Sequence, residues 1–151
     1  MSKVTIYTDG ASRGNPGDAG IGVVIESEDG TTLQEISVYI GETTNNFAEY
    51  TALIAGLRAA ADLGATDVEV RTDSELMAHQ VNGFYKVKSP GLQPLYAEAI
   101  SLLRCFRRSQ VSHVFRESNK RADELAGQAV KKKRGKPKPR PKPPAQVEFD
   151  I

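Results

Sequence analysis

Hydrophobic positions change their period once along this chain. In "KVTIYTD" (3–9), Val4, Ile6 and Thr8 alternate with Lys3, Thr5 and Tyr7, which predicts a strand that ends on Asp9. "AGIGVVIES" (19–27) predicts a second strand, whose glycines point to close packing or a bulge. "TLQEISVYI" (32–40) predicts a third, and "EDG" before it is a hairpin turn signal. Three strands on short connections make an antiparallel meander. From residue 45 the period becomes helical. "NNFAEYTALIAGLRAAADLG" (45–64) places Phe47, Tyr50, Ile54, Leu57 and Ala61 on one face, and Gly64 ends it.

Strands and helices then alternate. "DVEVRTD" (67–73) is a strand that again ends on an aspartate. Helices follow over 74–83 and 92–108, then a strand over 110–117 and a last helix over 119–132. Alternation of this kind implies parallel crossovers. The predicted class is α/β: a mixed five-stranded sheet, antiparallel meander then parallel crossovers, flanked by helices. Beyond Val130, "KKKRGKPKPRPKPPAQVEFDI" carries prolines at short intervals and dense positive charge, which oppose a helix, a central strand or a core. The chain therefore divides into a folded unit, 1–130, and a basic Pro/Lys-rich tail, 131–151, expected to be disordered.

Charge sharpens that division. The net charge is +1, but residues 1–130 hold 12 Lys and Arg against 17 Asp and Glu, while the tail holds 8 against 2. An acidic body with a basic extension suits a polyanionic partner gripped through the tail. The terminal "QVEFDI" reads as a motif for a protein partner, a strand that docks on a sheet edge, or a plain chain end. No apolar run is long enough for a membrane span, and no N-terminal signal segment is visible. Cys105 stands alone among Leu102, Leu103 and Phe106 and is read as a small buried hydrophobe. These features predict a cytoplasmic, monomeric protein with no membrane partner.

Four carboxylates are the candidate chemistry. Asp9 and Asp73 end strands predicted to be parallel, and the carboxyl ends of such strands face the binding crevice. Glu49 is placed in the first turn of the long helix and Asp123 in the first turn of the last. Each also has an ordinary structural account: a turn at Asp9-Gly10, an Asn46-to-Glu49 capping arrangement, a cap at Asp73, a dipole-favoured acid at Asp123. Together they form an all-oxygen set suited to hard divalent cations, Mg²⁺ first and Mn²⁺ next. Two such ions can activate a water and stabilise a leaving oxygen of a phosphodiester. No Cys/His cluster offers a zinc site, and "SRGNPG" lacks the Gly-Lys-Ser/Thr of a phosphate loop.

"YTDGASRGNPGDAGIGVVI", "TTNNFAEYTALIAGL", "VRTDSELMAHQVNG" and "FRESNKRADELAGQA" occur in an order and spacing that resemble type 1 ribonuclease H over most of residues 3–130. The resemblance implies the ribonuclease H-like fold and endonucleolytic cleavage of the RNA strand of an RNA/DNA hybrid, leaving 3′-hydroxyl and 5′-phosphate ends. It implies two Mg²⁺ ions, with Asp9 bridging both. Glu49 and Asp73 complete the one beside the leaving 3′ oxygen, and Asp123 helps hold the one that activates water. It places the backbone of Gly10, Ala11 and Ser12 nearest the RNA minor groove, where 2′-hydroxyls mark RNA. It sets Asn15, Asn45 and Asn46 against sugars and base edges, Thr44 against a DNA phosphate, Phe84 against the DNA sugar face and Arg116 near the scissile phosphate. Turn and cap chemistry is the alternative for the asparagines.

This chain departs from the family pattern in two ways. "FYKVKSPGL" leaves no room for the basic protrusion that some members carry, and "RESNK" leaves none for their flexible-loop histidine. His113 is read as a structural strand residue instead. A hybrid-binding module that does not cut, or another nuclease of the same fold, remain the alternatives, with cleavage of double-stranded RNA as an added activity.

Overall fold

The computed structural model describes residues 2–135. Among the described residues five strands are present: β1 (Lys3–Gly14), β2 (Gly17–Ser27), β3 (Thr32–Thr43), β4 (Asp67–Thr72) and β5 (Arg108–His113). Four α-helices accompany them: α1 (Asn45–Asp62), α2 (Glu75–Val81), α3 (Gln93–Arg104) and α4 (Lys120–Gly135). The sheet order is β3-β2-β1-β4-β5. Strands β1, β2 and β3 pair antiparallel, whereas β4 joins β1 and β5 joins β4 in parallel. The meander-then-crossover architecture is the one predicted.

Strand β1 is longer than predicted. It does not stop at Asp9 but pairs with β2 from Val4↔Ser27 to Gly14↔Gly17. Only the parallel pairing with β4 stops there, at Thr8↔Thr72. The segment read as a loop is thus the outer half of a hairpin. Its own residues, Gly10 to Gly14, include no β-branched or large apolar side chain, so hydrophobic alternation does not announce it.

Helices cover both faces. On one, Ile6, Ile21, Val23 and Ile25 pack under α1, whose Leu53, Ile54 and Leu57 are buried. Helix α4 lies on the other face, over Gly20 and Gly22, and buries Ala122, Leu125, Ala126 and Ala129. The alternation of strand side chains makes both contacts compatible on β2, odd positions serving α1 and even ones α4. Helix α3 ends at Arg104, so Cys105 caps it and is exposed, not buried as expected. Helix α4 runs to Gly135, past the boundary drawn at Val130. The remainder of the tail, 136–151, lies outside the described residues. Among the described residues no helix is long and apolar enough to cross a membrane.

Candidate metal centre and nucleic-acid interface

Glycine decides how close the helices come. A Cβ on Gly10 would lie 2.3 Å from the carbonyl carbon of Ala48 and 2.4 Å from the Glu49 nitrogen. Only a bare Cα lets α1 sit on β1 here. The Glu49 carboxylate then reaches the strand, where Oε1 accepts a hydrogen bond from the Gly10 N–H at 3.0 Å. Glu49 belongs to the second turn of α1, not the first, and does not cap it. The cap is Thr44, whose Oγ1 accepts from the Phe47 N–H at 3.2 Å. Nor does Asp73 cap α2, because Ser74 does, accepting from Met77.

Freed from capping, three carboxylates converge. One oxygen each from Asp9, Glu49 and Asp73 lies within 4.8 Å of the others. Asp9 and Glu49 are buried, and Asp73 is half-buried. Asp123 borders the same cleft of about 440 Å³, whose other walls are Gly10, Ala11, Asn45 and the 113–116 segment. Arg116 Nη2 lies 3.3 Å from Asp123 Oδ1. The Asp9 carboxyl is pushed far above the ordinary carboxylate range, chiefly by burial and then by Glu49 and Asp73. Glu49 is raised by burial and then by Asp73, against the pull of the Gly10 N–H. Like charges crowded in a dry site are costly without a counter-charge. Every donor in the cluster is a carboxylate oxygen, which fits a hard divalent cation and no soft one.

Asn119 was missed in the sequence. It is buried to 1% exposure, and its Nδ2 donates to the Thr8 carbonyl at 2.9 Å. Its backbone carbonyl accepts from the Asp123 N–H at 3.1 Å, in the first turn of α4. One residue, by its side chain on β1 and its backbone in α4, thereby ties the strand that carries Asp9 to the helix that carries Asp123. Its place just before the helical run of "NKRADELA" was the available signal. For Asn119→Ala we expect about 1–3 kcal/mol of lost stability. Turnover should fall while KM stays, because Asp123 loses its register. Thermal melts and steady-state kinetics check both.

Six of the nine expected substrate contacts fall in two places, while Ser12, Asn15 and Thr44 line neither. Gly10, Ala11, Asn45 and Arg116 line the acidic cleft. Asn46 and Phe84 line a neighbouring groove with Tyr85, Lys86 and Lys88. Phe84 is 74% exposed, and Tyr85 is also exposed, so neither ring packs in the core. The hairpin tip is tied to α1: Asn15 Oδ1 accepts from the Asn45 N–H at 2.9 Å, and Asn45 Oδ1 from the Ser12 N–H at 3.3 Å. Long-range bonds between hairpin and helix thus occupy both carbonyl oxygens, while the amide NH₂ groups are not used in these bonds. His113 ends β5, is exposed and lines the acidic cleft, so it is not the interior strand residue expected.

Comparison with known proteins follows the same lines. The model of the family described as "Reverse transcriptase-like" matches residues 7–129. Ribonuclease H of Chlorobium phaeobacteroides is 34% identical over 149 residues, which cover 89% of this chain and 99% of that protein. The chain belongs to the ribonuclease H family. Ribonuclease HI of Halobacterium salinarum is 47% identical over 128 residues, 85% of this chain. The chain spans 64% of that relative's length, under two thirds. Among solved structures, LC11-RNase H1 in complex with an RNA/DNA hybrid superposes with a TM-score of 0.81 at 49% identity, covering 85% of this chain and 97% of that one. The mixed sheet flanked by helices is accordingly the ribonuclease H fold.

Proposed function

We propose that this chain is an endonuclease that hydrolyses the RNA strand of RNA/DNA hybrids, leaving 3′-hydroxyl and 5′-phosphate ends. The observation that carries the reading is the convergence of Asp9, Glu49 and Asp73 within 4.8 Å, with Asp123 on the same cleft. Family membership and the hybrid complex of LC11-RNase H1 support the substrate.

Asp9, Glu49, Asp73 and Asp123 would hold two Mg²⁺ ions. Held there, such ions would supply an activated water and charge neutralisation at the leaving 3′ oxygen. The chain's own contribution is placement. Gly10 fixes the Glu49 carboxylate by its N–H. Asn119 keeps α4, and with it Asp123, in register with β1. Arg116, already against Asp123, presents a planar fork that suits a phosphate as well as a carboxylate. The backbone of Gly10 and Ala11 walls the cleft where the RNA minor groove would lie. Asn15 and Asn45 keep amide NH₂ groups for 2′-hydroxyls, which accept as well as donate. Phe84, with Lys86 and Lys88, offers a ring and two charges to the DNA strand.

The test is a panel of sequence-matched RNA/DNA, RNA/RNA and DNA/DNA duplexes, each with Mg²⁺, Mn²⁺ or EDTA. Cleavage of the RNA strand in the hybrid, lost in EDTA, is the expected result. Cleavage of RNA/RNA at an equal rate would refute hybrid selectivity. Hybrid binding without cleavage under any metal would refute the nuclease reading altogether.

A further inference from the structure

Phe115 is the most exposed large hydrophobic residue among those described, at 75%. Burial of such a side chain is favourable, and here most of that gain is left unclaimed by the fold. The ring does not sit on a loose loop. The Val114 N–H just before it donates to the Thr72 carbonyl at 2.8 Å, and the Phe115 carbonyl accepts from the Ser118 N–H at 2.9 Å. Its ring neighbour is His113, edge to face at 5.8 Å between centroids. Backbone and neighbour thus hold an aromatic surface out to solvent.

Its position is as telling as its exposure. Phe115 borders the cleft that holds all four carboxylates, whereas Phe84 and Tyr85 line the separate groove beyond Asn46. Arg116 follows it directly and turns its guanidinium towards Asp123. An apolar ring beside a cation mirrors a nucleotide, which pairs a sugar with a phosphate. Within a duplex the base faces are covered by stacking, so a ring beside the scissile phosphate meets a sugar. We propose that Phe115 is a seat for the ribose adjoining the scissile phosphate of the RNA strand, the ring packing on the sugar while Arg116 takes the phosphate. The proposal rests on the hybrid-nuclease reading above, and it assigns to that site an apolar contact on the cleaved strand.

The expected signature is in KM. Phe115→Ala should raise KM for an RNA/DNA hybrid about five- to tenfold and leave kcat within about twofold, since the carboxylates are untouched. Phe115→Tyr should retain wild-type KM. Melting temperatures should match the wild type, because an exposed ring contributes little to the core. The chain has no tryptophan. Phe115→Trp therefore installs the sole tryptophan, which is excited at longer wavelength than the five tyrosines, and its fluorescence should change saturably on titration with hybrid in EDTA at low salt. An unchanged KM for Phe115→Ala overturns the proposal while leaving the nuclease reading intact. So does silent Trp emission while the anisotropy of a labelled hybrid reports binding. Failure of the wild type to cut hybrid instead strikes the nuclease reading, and the emission titration still decides whether Phe115 meets nucleic acid.

Discussion

Asp9→Asn should abolish hybrid cleavage, by a thousandfold or more, and should raise the melting temperature of the metal-free protein. Both effects have one origin. Asp9 is buried beside Glu49 and Asp73, and its carboxyl is raised by that burial and then by those neighbours. The folded chain therefore keeps protons on Asp9 and Glu49 that the unfolded chain releases at about pH 4. Between those limits the native state binds more protons than the unfolded one, so stability falls as pH rises. Melting in EDTA should be highest near pH 5 and decline toward pH 8. Saturating Mg²⁺, or the Asn substitution, should flatten the slope by removing the repulsion. Calorimetric melts from pH 5 to 8 with EDTA and with Mg²⁺ provide the check. A flat metal-free profile, or cleavage by Asp9→Asn at the wild-type rate, would refute the assignment.

Gly22→Ala should cost both stability and turnover, although Gly22 carries no chemistry. It pairs with Asp9 across the hairpin. An added Cβ would lie 2.0 Å from the Ala122 carbonyl oxygen and 2.6 Å from the Ala126 nitrogen, both backbone atoms of α4. Backbone cannot swing aside as a side chain can, so the helix must lift. Overpacking of this kind costs about 1–3 kcal/mol. Ala122 precedes Asp123, so the carboxylate moves with the helix, and a displacement of about 1 Å can cost roughly a hundredfold in rate. Gly127→Ala is the control. It lies in the same helix with nothing within 4 Å of an added Cβ, so it should stabilise by up to about 1 kcal/mol and leave turnover unchanged. Equal kinetics for the two variants would show that α4 tolerates displacement and that Asp123 needs no fixed place.

What could be read in the sequence followed from strong periodicity. The alternation in 3–9 and 67–73 and the helical spacing of 45–64 gave the sheet and its long helix, with ends misplaced by several residues. The glycines of 19–27 point to close packing or a bulge, and both are present: Gly20 and Gly22 lie against α4, and the register with β3 shifts between Ala19 and Gly20. Small residues hid the outer half of β1, because Gly10, Ala11 and Ser12 carry no hydrophobic alternation. Glu49 was assigned to the candidate site, but local spacing also suggested a cap. Only its contact with Gly10, thirty-nine positions earlier, tells a long-range partner from a capping one. Asn119 and Phe115 escaped for the opposite reason. Their significance lies in what they touch or leave untouched, which a position before a helical run, in the case of Asn119, only hints at.

The cluster also has an order of birth. Asp9 leaves the ribosome with the first strand, Glu49 with the helix that covers one face, and Asp73 with the fourth strand. Asp123 comes last, on a helix that must dock over Gly20 and Gly22 on the opposite face. A nascent chain halted before Lys120 already carries three of the four carboxylates but lacks the helix that brings the fourth. Under the reading proposed here, a growing polypeptide tethered beside the messenger that encodes it stays inert as a nuclease until synthesis of its folded domain is almost complete.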